Sequence, residues 1–346
     1  MAMADVTVLG AGIFGLSVAW ACVQRGARVR VIDPHGPGAG SSGGIVGALA
    51  PHVPEQWNEK KAFQFDSLMM AAGFWAGVEA ASGLSTGYAR LGRLQPVADA
   101  AALALAQERA LSAADLWQGH AVWQVVPVDP AALWRADSPF GWMIHDTLTA
   151  RLHPRMACMA LVAALRAQGA AVVADHPLEG RVIHATGVAG LMDASAALGR
   201  SFGSGVKGQA ALLRLDMRDA PQLFVDTVHI VPHADGTVAI GSTSERDYDD
   251  AASTDDQLDA LIARACAAVP ALRDAAVIDR WAGVRPRSRS RAPVLGLHPV
   301  HKDHFIANGG FKIGFGMAPK VAQVMADLVL DGVDRIPAGF RPEASL

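Results

Sequence analysis

The sequence predicts an α/β fold in two domains, a parallel sheet built from βαβ units and an inserted antiparallel sheet. Three observations predict it. The chain opens on a strand, a glycine turn, an apolar helix and a second strand; buried-strand patterns resume after residue 169; and short extended segments separated by turn residues lie between and beyond them. The 346 residues are 51% hydrophobic and 18% charged, which supports a core large enough for two domains and excludes disorder.

The first element is Val6-Thr-Val-Leu9, feeding into Gly10-Ala-Gly12-Ile13-Phe14-Gly15 and an apolar helix. Gly10 permits the tight turn off the strand, Gly12 the close approach of backbone to a pyrophosphate, and Gly15 the packing of helix on sheet. The helix N-terminus then presents free N–H groups and a positive dipole end to phosphate. A second strand, 27–33, ends in Asp33, the carboxylate that a Rossmann-like site uses to hydrogen-bond a ribose hydroxyl. A glycine turn in an ordinary βαβ unit would leave Asp33 unexplained. Next, Gly40-Ser41-Ser42-Gly43-Gly44-Ile45 supplies small residues and free amides that can lie against a pyrophosphate.

Residues 60–81 carry apolar positions at helical spacing, 88–97 read as a strand, 100–119 as an alanine-rich helix, 123–128 as a strand or loop and 130–134 as a short helical turn. A helix over 154–168 ends at Gly169 as at a C-cap, and 170–174 and 180–185 are buried strands. Segments 209–215, 227–232 and 237–242 are β-like, with Asp235-Gly236 as a hairpin signal between the last two. A helix over 255–268 stops at Pro270, and 277–284 is a strand. Phe305 to Gly316 is rich in glycine and precedes an amphipathic helix over 319–330. On this pattern residues 1–85, 146–205 and 278–346 form the dinucleotide domain, and 86–145 and 206–277 the inserted substrate domain.

Several function classes are disfavoured. A net charge of −3 gives no general attraction for polyanions, so no nucleic-acid partner is expected. Cys22, Cys158 and Cys266 are isolated and fit a reducing cytoplasm. The apolar N-terminus lacks the basic flank of a signal peptide, and no segment reaches the apolar length of a membrane span. His298, His301 and His304 fall three apart, but no Cys or carboxylate cluster completes a shell, so no metal is expected.

Six blocks in order resemble the D-amino-acid oxidase superfamily of flavoproteins, which includes glycine oxidase, monomeric sarcosine oxidase and D-amino-acid dehydrogenases. They are the Gly10–Gly15 fingerprint with Asp33, residues 40–48, Ala185-Thr186-Gly187, Val206-Lys-Gly-Gln209, Trp281-Ala-Gly-Val-Arg285-Pro286, and Asn308-Gly309-Gly310-Phe311-Lys312-Ile313-Gly314-Phe-Gly316. The resemblance implies noncovalent FAD, held by Gly10, Gly12, Ile13, Phe14, Gly15, Asp33, Ser41, Ser42, Gly43, Gly44, Ile45, Val173, Thr186, Gly187, and residues Gly309, Gly310, Phe311, Lys312, Ile313 and Gly314. The last glycines lead into a helix whose N-terminus can stabilise the negative charge of reduced flavin.

The same resemblance makes Arg285 the partner of a substrate carboxylate, through a planar fork able to make two parallel hydrogen bonds. Lys312 is a second anchor or neutralises reduced flavin; a surface lysine at a helix start is the competing reading. His229 stands where many relatives carry tyrosine, either facing substrate or lying half in solvent on a strand. After Arg285-Pro286 the chain carries Arg287, Arg289 and Arg291, where relatives have a loop with Asp-Gly. The favoured reading is that Pro286 turns the chain and leaves them solvated; the other is that a second arginine enters the pocket.

The implied reaction is oxidation of the C–N bond of a small amino acid or N-alkyl amino acid by hydride transfer to flavin N5, as in glycine oxidase, with oxygen or a quinone as electron acceptor. The implied partner is a small carboxylate-bearing amine; a homo-oligomer is left open. The alternatives are a D-amino-acid dehydrogenase delivering electrons to a quinone, an FAD domain acting on modified tRNA uridine, and a non-catalytic FAD-binding subunit.

Overall fold

The computed structural model describes residues 3–346. In chain order its elements are β1 (Val6–Leu9), α1 (Ile13–Gln24), β2 (Val29–Ile32), β3 (Ala48–Leu49), α2 (Glu59–Ser82), β4 (Arg93–Pro96), α3 (Ala100–Leu116), β5 (Trp123–Pro127), β6 (Trp142–Asp146) and β7 (Ala150–Arg151). They continue as α4 (Pro154–Ala167), β8 (Ala171–Val173), β9 (Arg181–His184), α5 (Gly187–Leu198), β10 (Gly203–Arg214), β11 (Gln222–Val225), β12 (Val228–Pro232) and β13 (Thr237–Gly241). Last come α6 (Asp256–Ala268), β14 (Val277–Ser288), β15 (Val294–Leu297), β16 (Phe305–Asn308) and α7 (Gly314–Ala326).

A six-stranded sheet runs β15-β16-β9-β1-β2-β8, parallel except for β15. Its register positions the site. Leu9 lies abreast of Ile32 and His184, and Ile32 abreast of Val173, so Gly10, Asp33 and Ala185-Thr186-Gly187 all emerge at one edge. That edge, at the carboxyl ends of parallel strands, is where open α/β sheets bind ligands. Helices α1, α2, α4 and α7 pack around this sheet, with Trp20, Trp75, Leu161 and Met317 in one buried cluster.

An eight-stranded sheet runs β14-β10-β13-β12-β11-β4-β6-β5. It is antiparallel except for the β4–β11 pair. Leu213, Leu223, Ile230, Val238 and Ile240 form its core under α6. Strand β14 pairs with β10 along its length, so it belongs to this sheet, although the sequence pattern places residues from 278 onward in the dinucleotide domain.

The helix signals act where the sequence carries them. The side chains of Asn58, Asp99 and Asp255 accept from Lys61, Ala102 and Gln257 N–H and start α2, α3 and α6. Gly83 closes α2 in the left-handed region at φ +68°. Four expectations change. Strand 88–97 shortens to β4, and 130–134 is a turn rather than a helical turn. The strand beginning at 277 runs on to Ser288, because Pro286 takes an extended place opposite Gly205 and the turn waits until Arg289. Finally, α7 begins at Gly314 rather than at 319, with Pro319 inside it. The Met317 N–H donates to the Ile313 carbonyl at 3.0 Å and closes the first turn, and α7 packs along α1 and α2. Elements α5, β3, β6, β7, β11 and β15 have no counterpart in the sequence reading.

Candidate active site

The edge of the six-stranded sheet and one end of the eight-stranded sheet enclose a cavity of about 1460 Å³. Gly10, with φ +101°, has no room for a side chain, since a Cβ there would overlap the Ala185 carbonyl oxygen. Gly15 is held in the same way by the Gly10 carbonyl, and Gly43 by that of Gly38. These glycines keep strand, helix and loop in contact. Ser42 is buried, and its Oγ accepts the Ile13 N–H at 2.9 Å, pinning the Gly/Ser loop onto the start of α1. Asp33 accepts the Ala11 N–H at 2.7 Å through Oδ2 and the His35 N–H at 3.0 Å through Oδ1. Each oxygen keeps lone-pair capacity for a hydroxyl.

The C-terminal glycines join this wall from the far end of the chain. Asn308 Nδ2 donates to Gly187 O at 2.8 Å and its Oδ1 accepts the Gly309 N–H at 2.8 Å. The Phe311 N–H donates to Pro286 O at 3.0 Å, which ties the loop to β14 of the other sheet.

Most of the residues expected around a dinucleotide line the cavity: Gly10, Gly12, Ile13, Phe14, Asp33, Ser41, Ser42, Gly44, Ile45, Thr186, Gly187, Gly310, Phe311, Lys312, Ile313 and Gly314. Gly15, Gly43, Val173 and Gly309 lie behind it. Val173 acts through its backbone, accepting the Asp33 N–H at 3.0 Å.

The other wall comes from the eight-stranded sheet. Arg285 on β14 is 8% exposed, with Nη2 donating to Ser242 Oγ at 2.5 Å and Nη1 to Thr243 O at 3.3 Å. Its guanidinium lies over Gly208 of β10, where any Cβ would collide with it. Among the described residues no carboxylate lies within 4.0 Å of it. Burial pushes its pKa down to about 10, with Glu245 opposing, so it remains charged at neutral pH.

Lys312 faces the same cavity with no carboxylate partner among the described residues and with its Nζ 5.7 Å from the Phe311 ring centre. Burial, then Arg285 and Arg287, push its pKa down. Lys312 is an exposed residue that opens onto the cavity near Arg285 and Arg287. Arg287 also lies over the Phe311 ring, its Cζ 5.7 Å from the centre. The chain therefore does not turn at Pro286 to leave Arg287 free, and Arg287 is not part of the cavity wall either. His229 on β12 does line the cavity, its ring 4.6 Å from that of Phe224 and its Nδ1 without a hydrogen-bond partner. Burial, then Arg93 and Lys312, push its pKa down to about 3, so it is neutral near pH 7.

Several wall residues escaped the sequence reading. Arg93 is buried, paired with Asp146 through Nε at 3.0 Å, and 5.6 Å from the Phe224 ring centre. Ser242 and Thr243 hold Arg285. Only the pairing of distant strands assembles these groups. The three cysteines are free, and burial pushes the Cys22 and Cys158 thiols up to about 12. Among the described residues no helix is long and apolar enough to cross a membrane.

The sequence profile described as FAD dependent oxidoreductase matches residues 5–328. The chain is 29% identical to glycine oxidase of Pseudomonas putida over 99% of each chain. It superposes with a TM-score of 0.81 on glycine oxidase from Bacillus cereus, at 20% identity and 96% coverage of both chains. It does so with the same score on iminodiacetate oxidase from Chelativorans sp., at 21% identity, covering 97% of this chain and 98% of that one.

Proposed function

This chain belongs to the FAD dependent oxidoreductase family, and on that premise we propose that it oxidises the C–N bond of a small amino acid or N-alkyl amino acid, in the manner of glycine oxidase. The observation that carries this reading is Arg285, a buried cation on the cavity wall with no anion of its own among the described residues. A buried charge without a partner is costly, and a substrate carboxylate supplies that partner.

The residues fit FAD. The cavity has room for a large planar ligand beside glycines whose Cβ positions are filled by backbone, and the N-termini of α1 and α7 both open onto it without a side-chain cap of their own. Gly12, Ile13 and Phe14 would meet the pyrophosphate, Asp33 a ribose hydroxyl, and Gly310 to Gly314 the ring. Bound noncovalently, FAD supplies the two-electron acceptor for the hydride that leaves the carbon next to nitrogen.

The chain's own groups then have separable tasks. Arg285 fixes the carboxylate, and Ser242 and Thr243 fix Arg285, so the reacting carbon is oriented before the C–H bond breaks. Lys312, which lines the same cavity, would add positive charge that favours a reduced, electron-rich flavin. Neutral His229 has one donor and one acceptor nitrogen for the amine. The amine arrives neutral, its lone pair forms the C=N bond, and water hydrolyses the released imine. No general base is required. Oxygen or a quinone then takes the electrons.

The test is an anaerobic absorbance scan of the FAD-loaded protein against glycine, sarcosine, proline and D- and L-amino acids. Bleaching of the oxidised-flavin band by one class, lost in Arg285→Ala, is the expected result. A flavin band that none of these amines bleaches overturns the reading.

A further inference from the structure

We propose that His184, His298 and His301 form a binding site for a borderline divalent transition-metal ion, with His304 as the outer residue that orients His184. The site stands independently of the oxidase reading.

In the sequence, three histidines at 298, 301 and 304 lack a completing ligand. The fold supplies one from more than a hundred residues away. Strand β16 pairs with β9 so that Ile306 lies beside His184, and the β15–β16 connection folds its histidines over the end of β9. The ligand nitrogens of His184, His298 and His301 all lie within 4.8 Å of one another. Ring centres are 4.5 Å apart for His184 and His298, 4.8 Å for His184 and His301, and 4.6 Å for His298 and His301.

The cluster has the chemistry of a ligand set. Among the described residues none of these four rings is in an ion pair with a carboxylate. Metal binds the neutral imidazole, and His184 and His298 are half-buried in the cluster while His301 opens to solvent. His184 Nε2 and His304 Nδ1 are 2.9 Å apart, the kind of second-layer hydrogen bond that sets the tautomer and angle of a metal-bound histidine. Imidazole nitrogens suit Zn²⁺, Cu²⁺ and Ni²⁺.

Capture requires a small rearrangement. Zinc–nitrogen bonds of about 2.0–2.1 Å in a tetrahedron bring ligand atoms to about 3.4 Å from each other, so the turn carrying His298 and His301 closes by roughly 1.4 Å. His298 Nδ1 now accepts the Val300 and His301 N–H groups, both at 3.1 Å, and binding through this ring either releases those amides or moves its proton. His301 is exposed, so the ion has a path in. All three histidines line the large cavity, and the residue after His184 begins Ala185-Thr186-Gly187. The fourth coordination position therefore belongs to water or to an anionic oxygen of the cavity's occupant.

The test is calorimetric titration of Zn²⁺ into untagged, metal-free, FAD-loaded protein, repeated on His301→Gln, His304→Gln and Cys266→Ser, with Co²⁺ absorbance as a second readout. His301 is exposed and its replacement leaves the core intact, which flavin absorbance and thermal unfolding verify; His298→Gln serves in its place if they do not. The expected result is one equivalent of Zn²⁺, weakened at least tenfold in His301→Gln, weakened roughly 10–100-fold in His304→Gln, and unchanged in Cys266→Ser, with visible Co²⁺ bands lost in His301→Gln. No saturable equivalent, or an equivalent that persists in the histidine variants, overturns the proposal.

Discussion

On the proposed reading, Arg285 concentrates the recognition energy of the site on one side chain. It is fixed from behind by Ser242 and Thr243 and stacked on Gly208, so its remaining N–H groups are held ready for a carboxylate. Two charge-assisted hydrogen bonds at about 1.5–3 kcal/mol each predict that Arg285→Ala lowers kcat/KM by at least on the order of 100-fold, with flavin content unchanged; steady-state kinetics on the reactive amine checks this. Gly10 makes the opposite prediction. Gly10→Ala puts a methyl group into the Ala185 carbonyl at a φ that L-residues rarely adopt, so the purified variant carries little flavin and unfolds at lower temperature, read from its absorbance spectrum and melting curve. Both residues were legible in the sequence because their signal is local: a glycine at fixed spacing after a strand, an arginine inside a recognisable block. Arg93, Ser242 and Thr243 were not, because an arginine or a serine in a strand has no signature until another strand brings it to a ligand.

Two kinds of element meet at the cavity: glycine-rich turns at the ends of parallel strands and the helices that they start. The loop over Ser41–Gly43 is attached to α1 by the Ser42 Oγ, which satisfies an N–H in the first turn of the helix. Ser42→Ala is therefore expected to cost about 1 kcal/mol of stability and to weaken flavin retention, measurable by denaturant titration and by dialysis against FAD-free buffer. Long helices with capping residues, α2, α3, α4 and α6, were legible within a few residues, since their caps and apolar stripes are local. The start of α7 was not. Pro319 marks a helix start when read alone, yet the Met317 N–H bonds back to Ile313 and the helix already runs from Gly314, packed along α1 and α2. Likewise Pro286 suggests a turn, but the pairing of β14 with β10 keeps it extended and carries Arg287 on in the strand beyond Arg285.

Across the whole molecule, neutral histidines are distributed through both sheets and the cavity. Burial pushes His229 down to about 3 and His233 down to about 4, below the ordinary value of about 6.5 for the unfolded chain. Below that ordinary value the unfolded state binds more protons than the folded one. Their contribution to stability is thus complete above about pH 6.5 and is lost as the pH falls towards 3–4, at up to about 1.4 kcal/mol per pH unit for each group. Thermal unfolding followed from about pH 7.5 to about pH 4.5 is expected to show a falling midpoint across that range, and His229→Gln, which cannot be protonated, is expected to flatten the fall. By itself the sequence determined the dinucleotide grip, the family, the glycine turns and the arginine proposed to hold the carboxylate, because each is written in contiguous residues whose spacing the chemistry demands. Tertiary structure alone decided which cations share the cavity, that β14 joins the eight-stranded sheet, and that His184 meets the histidines of the β15–β16 connection. Those facts depend on strand pairings between residues far apart in the chain, and no local pattern of residues encodes them.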